Sequence, residues 1–155
     1  MEITSPELES ADRIVDLWVS LAAGQQEHGS HLLAEENRRH IRESIVRRIV
    51  TDRVLVARED SILGFVMFTI QNGRYEEDLK RGVIENLYVV PDYRSAGIGS
   101  MLLETAEQHI QEAGVDVVAL EVMAANELGR EFYREHGYVP HRVEFEKHLD
   151  GLTEE

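Results

Sequence analysis

The sequence predicts one α/β domain built around a single sheet, with its elements in the order β-α-α-β-β-β-α-β-α-β. Three observations predict it. Two stretches near the start carry apolar residues at three- and four-residue steps. A β-rich block then runs from Arg53 to Val90, and after Pro91 helix-like and strand-like segments alternate. The 155 residues, 43% hydrophobic and 30% charged, suffice for a proper core, and nothing resembling a linker or repeat divides them.

Each element has a local reason. A short strand is expected around Ile3. Ser5 is placed to cap a helix with Pro6 in its first turn, and Leu8, Ala11, Val15, Trp18 and Ala22 form its apolar stripe. After a break at Gly24–Ser30, a second helix is predicted over Ala34–Val50, with Ile41, Ile45 and Ile49 in line. "RVLVARE" and "ILGFVMFTIQ" read as a hairpin turning at Glu59, Asp60 and Ser61. The second run is apolar on both faces, as in a strand covered on both sides. "VIENLYVV" is the next strand, and Pro91 stops it. A third helix follows, with Leu102, Leu103, Ala106, Ile110 and Ala113 inward and Gly114 at its C-terminal cap. "VDVVALEVM" is a strand, and Asn126 opens a fourth helix in which Leu128 and Phe132 define the buried side. "YVPHRVEFEKHL" is expected to close the fold as a strand.

Composition excludes several kinds of function. There are no cysteines, hence no disulfide framework, thiolate metal site or acyl-cysteine relay, and a reducing cytoplasm fits. No apolar run approaches the ~20 residues needed to span a bilayer, and the start lacks a signal-peptide pattern. The formal charge of −14 opposes nucleic-acid binding, so an anionic ligand needs a strong local site. Only Lys80 and Lys147 among the 16 basic residues are lysine, which fits a GC-rich or salt-adapted source or simple drift.

One stretch offers such a local site. In Arg94-Ser95-Ala96-Gly97-Ile98-Gly99-Ser100, glycines open a helix, so successive main-chain N–H groups can point at one diphosphate, with Arg94 adding a full charge. An ordinary strand-to-helix turn would use the same glycines for their φ angles. A P-loop needs a lysine and a hydroxyl residue after its last glycine, and Ser100-Met101 stands there instead. The dinucleotide fingerprint wants a small residue where Leu102 stands, although Glu121 lies about twenty residues on, as a ribose-binding acid would.

Further motifs follow in order: R-x-x-G-x-G after a strand ending before "PDY", then "LEVMAAN", then "NELGREFYREHGY". Over roughly residues 83–140 the chain resembles the GCN5-related N-acetyltransferase (GNAT) superfamily, most nearly the ribosomal-protein and small-amine acetyltransferases. The resemblance implies a mixed, mostly antiparallel sheet of six to seven strands flanked by about four helices. It also implies acetyl-CoA as acyl donor and an amine as acceptor. Arg94 to Ser100 would wrap the pyrophosphate of the cofactor. Backbone groups near Tyr88, Val89 and Val90 would pair with the pantetheine arm as an added strand, and one N–H would polarise the thioester carbonyl. Asn126 would hold the pantetheine chain, a role compatible with capping its own helix.

Tyr133 would protonate the departing thiolate, a transfer uphill by roughly 2 kcal/mol from ordinary pKa values. Removing the proton of an amine acceptor costs roughly 4 kcal/mol at neutral pH, so a carboxylate base is expected. Glu121 matches the glutamate of the ribosomal-protein enzymes; Glu85 shares strand parity with the base of the histone enzymes, two positions later than theirs. Either can instead be half of an ion pair, with Glu85 reaching an arginine. The acceptor rim would come from His28, His31, Glu35, Glu36, Tyr75, Glu76, Glu77 and Asp78, whose acidity suits a cationic amine or basic peptide. No metal is expected, since His28 and His31 lack a third ligand. A homodimer is compatible with the exposed sheet edges. A non-catalytic acyl-CoA sensor or complex subunit would share every cofactor-holding feature.

Overall fold

The computed structural model describes residues 1–71 and 76–150. Five strands form one sheet in the order β1-β2-β3-β4-β5: β1 (Glu2–Thr4), β2 (Val54–Arg58), β3 (Ile62–Ile70), β4 (Arg81–Val89) and β5 (Val117–Leu120). The first three pairings are antiparallel and the last is parallel. Four helices accompany it: α1 (Ala11–Gln26), α2 (Arg38–Val50), α3 (Ile98–Glu112) and α4 (Glu127–Glu135).

The sheet separates two apolar layers. On one face α1 and α2 pack Ala11, Ile14, Val15, Trp18 and Ile45 against Val54, Val56, Phe65 and Met67. On the other, Leu102, Leu103, Ala106 and Ile110 of α3 meet Leu55, Val66, Phe68 and Ile84, joined by Phe132, Tyr133 and Tyr138 from and just after α4. Because both faces are covered, β3 is buried from Ile62 to Phe68, as its unbroken apolar run predicts. Each fully buried Leu or Ile contributes roughly 1.5–3 kcal/mol. α3 seats closely because Gly82 of β4 lies directly beneath Ile110, where a Cβ would collide with that side chain.

The expected order holds through α4, with corrections. The sheet has five strands among the described residues, fewer than the six to seven expected, because "YVPHRVEFEKHL" forms no strand pairing. The chain enters α1 through a 3-10 turn at Leu8–Ser10, so Leu8 is exposed; Ser5 Oγ donates to Asp52 Oδ1 (2.8 Å) instead of capping a helix. α2 begins at Arg38, after a 3-10 turn at Glu35–Asn37. Ala113 is exposed because α3 has already ended and Gly114 (φ +86°) turns the chain away. Leu128 is 87% exposed, since α4 meets the domain through Gly129, Phe132, Tyr133 and His136, a stripe one position further on.

Candidate active site

The site begins where two strands part. β4 and β5 pair only from Arg81↔Val117 to Ile84↔Leu120. Beyond this fork β4 continues alone to Val89, held by β3 on its other side. Val90 N–H donates to Leu63 O of β3 (2.9 Å). Since successive residues of a strand face opposite edges, Val89 and Leu87 turn their N–H and C=O groups toward the open side. A bulge helps to make the fork: the β3 register passes from Met67↔Asn86 to Phe68↔Ile84, leaving Glu85 as the extra residue.

The two candidate glutamates stand at the crotch. Continuing the β4–β5 register by one residue would set Glu85 opposite Glu121. Their surroundings differ. Glu85 accepts from Arg48 of α2 through both oxygens (Arg48 Nε to Oε1 2.8 Å, Nη2 to Oε2 2.9 Å). Glu121 is exposed and makes no hydrogen bond or ion pair among the described residues. The α1–α2 loop closes in nearby, with Met123 Cε 3.8 Å from where a Cβ of Gly29 would lie.

Tyr133 is partly buried against the apolar layer on the α3 face of the sheet, the layer that holds Ile84 and Val89 of β4. Its ring stands edge-on to Phe132 (centroids 5.2 Å) and Tyr138 (5.9 Å). Burial pushes its phenol up to about 12, and the hydroxyl has no hydrogen bond among the described residues. Tyr138 is also raised, by burial first and then by donating to Glu107 Oε2 of α3 (2.6 Å), a bond that fastens the end of α4. Asn126 Oδ1 caps α4 by accepting from Gly129 N–H (3.0 Å), leaving its Nδ2 without an acceptor among the described residues. Gly129 permits this, because its Cβ would lie 2.6 Å from Asn126 Nδ2.

The glycine loop runs on from β4. Ser95 (φ +67°) and Gly97 (φ +85°) are both left-handed, which turns the chain sharply into α3. Met101 N–H bonds Gly97 O (3.1 Å), so the N–H groups of Ile98, Gly99 and Ser100 precede the first helical bond and have no acceptor among the described residues. Nothing lies within 4 Å of a Cβ at Gly97, so this mouth is open. Gly99 instead faces the Phe132 ring (3.5 Å to an added Cβ), where α4 leans on α3. Arg94 turns back: its Nε donates to Val89 O (2.8 Å) and its guanidinium covers the Tyr88 ring (5.2 Å).

Glu85, Val89 and Glu121 thus stand at the fork, and the loop Arg94 to Ser100 follows β4 into α3. Tyr88 and Val90 turn their backbone groups to β3 instead, so of the three expected to present them only Val89 faces the open edge, and Tyr133 lies in the apolar layer of the α3 face. The rim residues spread more widely. His31, on the α1–α2 loop, is bonded by Nε2 to both oxygens of Glu146 (2.9 and 3.0 Å), which raises its pKa. Glu35 is taken up by Arg38 (2.6 Å). His28 is half-buried, Glu36, Glu76, Glu77 and Asp78 are exposed, and Tyr75 lies outside the described residues. Arg48 and Glu107 are site-supporting residues that sequence patterns did not single out. Both sit on charged helix faces with many equivalents, and only the tertiary fold selects them.

The model of the Acetyltransferase (GNAT) family matches residues 17–138. The chain belongs to the GNAT acetyltransferase family. Among curated relatives, mycothiol acetyltransferase of Propionibacterium freudenreichii is 32% identical over 87 residues, covering 55% of this chain and 27% of that protein. The chain therefore spans only about a quarter of that relative's length. An uncharacterized N-acetyltransferase of Archaeoglobus fulgidus is 29% identical over 136 residues, covering 86% of this chain and 89% of the relative. A Thermoplasma acidophilum PaiA N-acetyltransferase, solved in complex with coenzyme A, has the same fold: TM-score 0.77 at 22% identity, with 92% of each chain covered.

Proposed function

We propose that residues 1–155 form one catalytic domain that moves an acetyl group from acetyl-CoA to a primary amine by direct attack within a ternary complex. The observation that carries the reading is the fork. β4 and β5 share four residue pairs and then part, leaving outward-facing backbone groups of Leu87 and Val89 beside a row of unpartnered N–H groups at the start of α3. An extended amide-bearing arm can add to such an edge as a strand does, while a diphosphate meets the helix start. The residues fit coenzyme A on this chemistry, since the N–H groups of Ile98, Gly99 and Ser100 are free beside open space at Gly97 and Asn126 Nδ2 offers a further donor.

When bound, acetyl-CoA would supply an activated thioester. The chain's own groups do the rest. An N–H on the open β4 edge polarises the acyl carbonyl. Glu121 takes the amine proton, directly or through water, and is favoured over Glu85 because both Glu85 oxygens already serve Arg48. Glu85 then acts as an anchor that fixes the bulge to α2. Tyr133 gives its proton to the leaving sulfur. A phenol held near 12 is a weak acid, but a thiolate formed in the same apolar surroundings is raised too, which narrows the mismatch. Arg94, which now donates to Val89 O, would supply the positive charge for the phosphates if released from that bond. The exposed Glu36, Glu76, Glu77 and Asp78 favour a cationic acceptor, whether a small amine or a basic peptide.

A screen of amines and basic peptides with a thiol-detecting readout tests this. Release of coenzyme A that depends on the amine is expected. Binding of acetyl-CoA without amine-dependent release, at any pH, would overturn the catalytic reading.

A further inference from the structure

Arg94 makes two contacts with the end of β4. Val89 turns its C=O to the open side, beyond the last β4–β5 pair, and Arg94 Nε donates to that oxygen (2.8 Å). The guanidinium also covers the Tyr88 ring, 5.2 Å from its centroid. The backbone brings it there. Pro91–Tyr93 form a single 3-10 turn, in which Tyr93 N–H donates to Val90 O (3.0 Å) and Arg94 N–H to Pro91 O (3.3 Å). A side chain five residues past Val89 is thereby folded back onto it.

What Arg94 lacks is a carboxylate. Arg38, Arg42, Arg48 and Arg58 are each fastened to one. Arg94 forms no ion pair among the described residues, although the chain has 30 acidic side chains, and its Nη1 and Nη2 make no hydrogen bond there. A neutral carbonyl is the weaker partner for a guanidinium, since a charged phosphate oxygen bonds it more strongly and can take two of its N–H groups at once. Further along the same loop stand the N–H groups of Ile98, Gly99 and Ser100, none with an acceptor among the described residues. An anion settling on them offers Arg94 a better partner than the one it has.

We infer that Arg94 is a specificity gate for the acyl donor: held on Val89 O, it occupies the carbonyl that the donor's extended arm would use, and a diphosphate is what draws it away. The gate rests on the reading of the fork as the coenzyme A edge, and it ties the two halves of that edge together. A thioester on a bare pantetheine arm must displace Arg94 from Val89 O and gives the cation nothing in return. Its apparent affinity falls by the fraction of time the gate stands open. A coenzyme A thioester moves the same guanidinium onto its own phosphates. Arg94 thus acts against one donor and for the other, which discriminates more sharply than phosphate contacts alone.

Arg94→Met tests the gate, because it keeps an unbranched stem over Tyr88 while removing donor and charge, and the exposed position lets the chain fold. Parent and variant are each titrated with coenzyme A and with pantetheine, followed by amide NMR, which reads affinities down to millimolar. The two ligands should respond with opposite sign. The Kd for coenzyme A should rise at least ten-fold in the variant, and the Kd for pantetheine should fall at least three-fold. In the parent without ligand, the Arg94 Nε–H should exchange slowly with water. Pantetheine bound equally or less well by Arg94→Met, or a rapidly exchanging Arg94 Nε–H, would overturn the gate while coenzyme A binding to the parent left the reading of the fork in place. A parent that bound no coenzyme A would overturn both.

Discussion

Glu85 and Glu121 are told apart by their partners alone, since both stand one residue past the last β4–β5 pair. Glu121→Gln should lower turnover strongly and leave the melting temperature unchanged, because the carboxylate is exposed and unbonded among the described residues. Glu85→Gln should do the reverse. It loses a bidentate ion pair whose side chains are 28% and 30% exposed, for which about 1 kcal/mol of stability is a fair ceiling, with smaller effects on turnover. A thermal melt and a steady-state assay on the two variants separate the roles. Tyr133 makes a different pair of predictions. Tyr133→Phe should reduce kcat while leaving the KM for acetyl-CoA nearly constant. Its folded pKa, about 12, lies above the ordinary 10.0, so the folded protein favours the neutral phenol. That contribution to stability is whole below the unfolded pKa and is lost as pH climbs through the folded one. Alkaline unfolding followed by circular dichroism should accordingly begin at higher pH in Tyr133→Phe than in the parent, if its folding at neutral pH is intact.

The glycine loop and α3 behave as one device. Gly97 holds φ +85° with open space around it, so Gly97→Ala should cost about 1–2 kcal/mol through the backbone and weaken coenzyme A binding by tilting the free N–H groups. Gly82→Ala acts elsewhere. It would push Ile110 off β4 and cost roughly 1–3 kcal/mol through overpacking, detectable by urea denaturation. Most elements were legible because their signals are local. The stripes of α1 and α3, the β2–β3 hairpin and the stop at Pro91 each follow from spacing within a dozen residues. What escaped was tertiary. α4 was expected to bury Leu128, yet its nine residues are too few for periodicity to fix the buried side to within one position. Contact with Gly99 through Phe132 decides it instead. Likewise, nothing near Arg48 in the sequence announces that it will meet Glu85, thirty-seven residues on.

For the chain as a whole, strong acidity and anion binding are reconciled by geometry. A formal charge of −14 repels a polyanion from the surface at large, while the N–H groups at one helix start act over a few ångströms, where the local field dominates. Coenzyme A binding should accordingly tighten modestly with salt up to the point where long-range repulsion is screened, a trend opposite to that of a basic nucleic-acid binder. The segment after α4 shows where local reading stops: "YVPHRVEFEKHL" is expected as a strand, yet residues 139–148 make no strand pairing and no backbone hydrogen bond among the described residues. The measurement that bears most directly on the site is calorimetric titration of the full chain with coenzyme A, beside the Gly97→Ala variant. One molecule bound per chain, with affinity lowered at least ten-fold by the substitution, is the outcome expected of a diphosphate held on main-chain N–H groups at the fork. No heat of binding, or binding indifferent to Gly97→Ala, would contradict it.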